Sequence, residues 1–178
     1  MRLAALSIAT AATLAAGAAQ AENLRYFTYE PDSEAARYRT QDITFVVKPG
    51  LLNARVLKIY RKRGDDMDLH GAGQLSTGQL AQALPDEPEL WNLKLYEVDD
   101  QQGAGFARGS CKGAQHAWLA FKALKPYQDL KMYVVTYDPA SKSATLCETL
   151  AYRWRGEWKL PERKSDLGQE PGGPSDHR

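Results

Sequence analysis

The chain is poor in the residues that metal chemistry and nucleophilic catalysis draw on. Three histidines and two cysteines occur among 178 residues. There is no H-x-x-x-H or C-x-x-C pair, so a zinc site of the usual spacing is not expected. Asp65, Asp66, Asp68 and His70 offer donors but match no loop that fixes calcium coordination; beside Arg61-Lys62-Arg63 they read as a solvated acidic turn. The run Gly109-Ser110-Cys111-Lys112-Gly113 lacks the G-x-S-x-G pattern of an exposed nucleophile. In Gly103-Ala104-Gly105-Phe106-Ala107-Arg108-Gly109 the third glycine falls one place late for G-x-G-x-x-G, and the segment 99–109 reads as loop with no helix to receive a phosphate. No metal and no cofactor are expected.

Charge of one sign is missing too. The formal net charge is +1, from 23 basic and 22 acidic residues, which argues against nucleic acid as a partner. Long apolar runs are confined to the start. Met1-Arg2, the uncharged stretch from Leu3 to Ala18 and the small-x-small Ala19-Gln20-Ala21 together predict a signal peptide over 1–21. No later stretch is apolar enough to span a bilayer. At the other end, Pro, Gly, Ser and charges dominate 161–178, where Leu167 is the only large apolar residue, and a disordered tail is predicted. Residues 22–160 are then one domain, exported to the periplasm or secreted, and long enough to bury a core. In such a compartment Cys111 and Cys147 are expected to pair, stabilising the fold by about 3–4 kcal/mol in the chain-entropy model. The alternative is a reactive thiol at Cys111, with Lys112 and His116 near in sequence.

What the chain does have is alternation. Leu130, Met132 and Val134 alternate with Lys131, Tyr133 and Val135, and Asp138-Pro139-Ala140-Ser141 supplies turn chemistry. Beyond it Leu146, Leu150, Tyr152 and Trp154 recur at even spacing, with Glu148 the polar exception; Gly156 predicts a reversal that pairs Trp154 with Trp158 across strands. His116, Trp118 and Ala120 share the face of a further strand. Leu24 to Glu30 reads as a strand, followed by a turn at Asp32-Ser33 and an extended run to Lys48, with one helical turn over 33–37 as an option. The acid-Pro-x-Ser sequence at 30–33 recurs at 138–141, which predicts the same strand-then-turn outcome at both sites. Residues 51–63 suit a strand or a helix, and their β-branched content predicts a strand. Trp91, Leu93 and Leu95 predict another. The one clear helix is short, about 77–84: Ser76 and Gln79 form a capping box, Leu75 and Leu80 a staple, and Pro85 ends it. The predicted class is mainly β or α+β, a single domain with an antiparallel sheet of about six to eight strands and one short helix.

Candidate functional residues are few. His116 and Glu97 are the candidates for acid–base catalysis in a small envelope hydrolase, with Ser110 or Cys111 as nucleophile. Trp154 and Trp158 are candidates for stacking on a carbohydrate or apolar ligand. With no established catalytic constellation, the function expected is a non-catalytic binding or interaction module of the cell envelope, whose partner is a protein or envelope ligand. Its functional surface is expected in the irregular segments 61–73 and 99–113, or on the outward face offered by the Trp154 and Trp158 pair.

Overall fold

The computed structural model describes residues 24–51, 54–71, 75–99 and 104–159. The predicted signal peptide and tail lie outside the described residues. Eight antiparallel strands run in sequence order and close into a barrel: β1 (Arg25–Pro31), β2 (Ile43–Lys48), β3 (Arg55–Arg61), β4 (Met67–Gly71), β5 (Leu93–Asp99), β6 (Trp118–Lys122), β7 (Leu130–Asp138) and β8 (Ser143–Lys159). The prediction of a single antiparallel domain with six to eight strands holds. Closure comes from the length of β8, which pairs with β7 through its first half and with β1 through its second.

The interior is packed with side chains. Every strand sends alternate residues inward, among them Phe27, Tyr29, Phe45, Val56, Met67, Val98, Leu119, Phe121, Met132, Val134, Leu150 and Tyr152, and these form one buried cluster. Phe45 of β2 and Phe121 of β6, which are not neighbouring strands, meet at 5.4 Å between ring centroids. Outward positions carry Lys58, Asp68, His70 and Lys131. No described helix is long and apolar enough to cross a membrane.

Three β-bulges set which side chains point where. Opposite Val134 and Val135 the partners are Glu148 and Leu146, so Cys147 is the extra residue. Opposite Thr28 and Tyr29 they are Gly156 and Trp154, so Arg155 is extra and Gly156 sits beside a bulge. The reversal expected at Gly156 therefore does not occur. A third bulge at Leu57 lets both Val56 and Ile59 face inward, where strict alternation would separate them.

Helices cover what the strands leave open. α1 (Glu34–Arg39) takes up the optional helical turn: Ser33 Oγ caps it by accepting from Ala36 N, and Thr40 Oγ1, buried beyond its end, meets Tyr152 Oη at 2.7 Å. The two acid-Pro-x-Ser sequences thus diverge, the first leading into a helix cap and the second into a turn in which Asp138 accepts from Ala140 N and Ser141 Oγ. α2 (Thr77–Ala83) matches its prediction, with both halves of the capping box present. It lays Leu80 and Ala83, with Leu75 and Leu84, over the outward residues Trp118, Ala120, Tyr133, Val135 and Ala144. Ser76→Ala is expected to cost about 1 kcal/mol, read as a lower urea midpoint at unchanged slope. Trp91 lies in a short 3-10 helix (Leu90–Asn92) that precedes β5, so the strand predicted there begins two residues later.

α3 (Ala104–Ser110) overturns the loop expected over 99–109, whose first residue in any case ends β5. Its sequence is unpromising for a helix, with Gly105 and Gly109, but Phe106 and Ala107 are buried in the barrel cluster. Its end is pinned by the disulfide Cys111–Cys147, with Cα atoms 5.1 Å apart. β4 replaces most of the acidic turn: Met67 and Leu69 are buried while Asp68 and His70 face out.

Candidate functional site

In an antiparallel meander the connections alternate between the two ends. α1, the β3–β4 turn, α3 and the β7–β8 turn share one end; the β2–β3, β4–β5 and β6–β7 connections share the other. An arginine–glutamate pair lies toward each mouth, and in both the acid takes an inward position of β8. Arg25 donates to both oxygens of Glu157, at 2.6 and 2.7 Å. Arg39 Nε lies 2.9 and 3.1 Å from the two oxygens of Glu148, which explains that polar exception on an apolar face.

Beside these mouths lie two hollows. The larger, of about 350 Å³, is lined by Tyr29, Leu93, Leu124 and Leu130 together with Lys122, Lys131, Glu87 and Tyr133. Tyr133 Oη donates to Glu87, and Lys131 Nζ stands 3.8 Å from the same carboxylate. The bond from Tyr133 draws the Glu87 carboxyl below its usual range. Burial, followed by that bond, pushes the Tyr133 phenol up. Lys122 pairs with Glu89, and that bond raises its ammonium. Tyr29, at the inner wall, is raised by burial and by Asp129.

The smaller hollow, of about 280 Å³, is lined by Tyr38, Arg39, Arg61, Arg63, Gly64, Asp65, Gly105, Phe106 and Gly109. It joins the two segments, 61–73 and 99–113, in which a functional surface is expected from sequence. The intervening strands bring them together.

The sequence candidates are placed differently. His116 and Glu97 do meet, with Nδ1 3.9 Å from Oε1, but on the outer wall; the His116 side chain is 65% exposed and neither residue lines a hollow. Ser110 Oγ is buried without a hydrogen-bond partner, so no base touches it, and Cys111 is bonded to Cys147. The disulfide replaces the reactive-thiol alternative and is compatible with an oxidising compartment. Asp68 pairs with Lys58, and His70 Nε2 lies 3.1 Å from Asp99 Oδ2. Trp154 and Trp158 form no platform, because the bulge at Arg155 puts them on opposite faces. Trp154 packs edge-on to Phe27 and Tyr29 at the mouth; Trp158, 64% exposed, pairs with Tyr26 outside. Arg39, Arg61 and Arg63 are not among the candidates that the sequence offers, although the basic run at 61–63 is a visible signal of this hollow. Comparison with protein-family models, with curated proteins and with solved structures found no match.

Proposed function

We propose that this chain is an exported, non-catalytic binding module of the cell envelope, and that it seats a small amphipathic ligand in the 350 Å³ hollow. The observation supporting this reading is how the polar groups of that hollow are engaged. Tyr133 and Glu87 satisfy each other, the phenol held high and the carboxyl held low. Proton transfer near neutral pH calls for the opposite, a raised carboxyl or a lowered phenol. The rest of the lining is apolar at Leu93, Leu124 and Leu130 and polar at Gln128 and Asp129, with the ammonium groups of Lys122, Lys125 and Lys131 outnumbering the carboxylates of Glu87 and Asp129. Such a lining suits a molecule with an apolar body and an acidic head. Export rests on the signal-like first 21 residues and agrees with the disulfide.

The test uses 1-anilinonaphthalene-8-sulfonate, which has both features. Its emission is expected to rise and saturate at one site per chain. Leu124→Glu, which removes apolar wall and adds a like charge to that of the probe, is expected to weaken binding about tenfold or more, with near-ultraviolet circular dichroism unchanged. Turnover of glycan, ester or peptide substrates by the purified protein overturns the non-catalytic reading. Probe binding indifferent to Leu124→Glu overturns the assignment of the seat.

A further inference from the structure

We infer that the smaller hollow, at the α1–α3 end, is a binding site for a phosphate-type oxyanion carrying more than one negative charge. It is a separate site from the amphipathic seat and stands or falls independently of it.

Three elements each bring a guanidinium to this hollow or its edge: Arg39 from α1, Arg61 from the end of β3 and Arg63 from the turn after it. Asp65 is the one carboxylate among the lining residues, and Glu148 reaches Arg39 from β8. Among the described residues no carboxylate lies within ion-pair distance of Arg63; its guanidinium instead stands 4.8 Å over the ring of Tyr38. Arg39 lies 5.2 Å from the same ring, so one phenol gathers two cations. Arg61 sits 5.2 Å over Phe106 and donates from Nε to the carbonyl of Asp65. Arg39 is paired with Glu148, and Arg63 adds a further guanidinium to the same hollow, where an anion shared between them offsets the repulsion of like charges.

The guanidiniums are also held in place rather than left as flexible surface arms. Each guanidinium lies against an aromatic ring, at 4.8 to 5.2 Å from its centroid, and planar forks restrained in this way lose less entropy on meeting a tetrahedral oxyanion. The backbone is cut away to admit them. A Cβ at Gly64, whose φ is +90°, would lie 3.2 Å from Arg61 Cζ, and one at Gly109 would lie 3.4 Å from Arg39 Nη1. A Cβ at Gly105 meets nothing within 4 Å, which leaves the floor open. Several forks converging from different elements favour a multiply charged phosphate over a single carboxylate, which one arginine satisfies.

Isothermal titration of the disulfide-intact protein with pyrophosphate at low ionic strength tests this, with acetate as the singly charged control. Saturable pyrophosphate binding that weakens with added salt is expected, with acetate at least about tenfold weaker. Arg63→Ala, a change at an exposed residue outside the core, is expected to weaken pyrophosphate binding about tenfold or more, and Arg63→Lys by less. Gly105→Asp places a carboxylate in the open space and is expected to abolish binding while unfolding remains unchanged. Sedimentation with vesicles containing phosphatidic acid, whose headgroup is a phosphomonoester, lost in Arg63→Ala, assigns the phosphate to a lipid headgroup; pyrophosphate binding without sedimentation assigns it to a soluble ligand. No pyrophosphate binding, equal affinity for acetate, or binding untouched by Arg63→Ala and Gly105→Asp overturns the site. Retained binding of the naphthalene probe in the same preparation shows that such a failure concerns this hollow alone.

Discussion

Phe121→Ala is expected to lower the stability of the barrel by about 3–5 kcal/mol. Phe121 is fully buried on the inward face of β6, stacked on Tyr96 with centroids 5.0 Å apart and tilted against Phe45 on the far side. Removing its ring takes away the contact that spans the interior. The space left cannot close easily, because each strand is hydrogen-bonded to a neighbour on both sides and the circumference is fixed. Urea unfolding measures this as a lower midpoint, and Phe121→Leu, which keeps most of the volume, should recover a large part of the loss. A midpoint left unchanged by Phe121→Ala would contradict a filled barrel. It would also reopen the interior as a ligand chamber, which the present packing excludes.

Removing the disulfide, by reduction or as the Cys111→Ser/Cys147→Ser double variant, is expected to cost about 3–4 kcal/mol. At about 4 °C per kcal/mol for a domain of this size, the melting temperature should fall by about 12–16 °C. The double substitution avoids a stray thiol. Its structural effect should concentrate on α3, seven residues long and too short to persist alone, held otherwise by the burial of Phe106 and Ala107. Hydrogen exchange should therefore rise first in 104–111, with β7 and the first half of β8 still protected. Equal exchange in both forms would mean that packing alone holds the helix. Intact mass before and after reduction checks the bond itself, and two free thiols in native material would refute it.

Much of the scaffold was legible because the signals are local. Alternation in β7, the Ser76–Gln79 capping box and the turn at Asp138 each depend on residues a few places apart, and each appears where it was expected. β4 was legible in principle from Met67 and Leu69 alternating with Asp68 and His70, but the acidic residues around it favoured a loop reading. The glycines of α3 hid a helix whose stability comes from what it covers. Neither failure concerns propensity alone, since in both cases burial against distant strands outweighed it.

The candidate sites divide in the same way. His116 and Glu97 are close in space because His116 lies just before β6, whose Trp118 is in register with Glu97 of β5, yet their neighbours make them an exposed pair. Trp154 and Trp158 have the even spacing of one face, and a single inserted residue in the β1–β8 ladder sends them apart. The basic run at 61–63 is the arginine hollow's one local signal; the rest is hidden, because Arg39, Arg61 and Gly109 become neighbours only when the connections at one end of the barrel converge.

By itself, then, the sequence determined the strand content, the short capped helix and an even pair of cysteines, all properties of local pattern and composition. Closure of the sheet, the side on which each tryptophan falls and the gathering of three guanidiniums were decided only by tertiary structure. The physical reason is that each depends on register between strands far apart in the chain, where one bulge reverses every side chain beyond it.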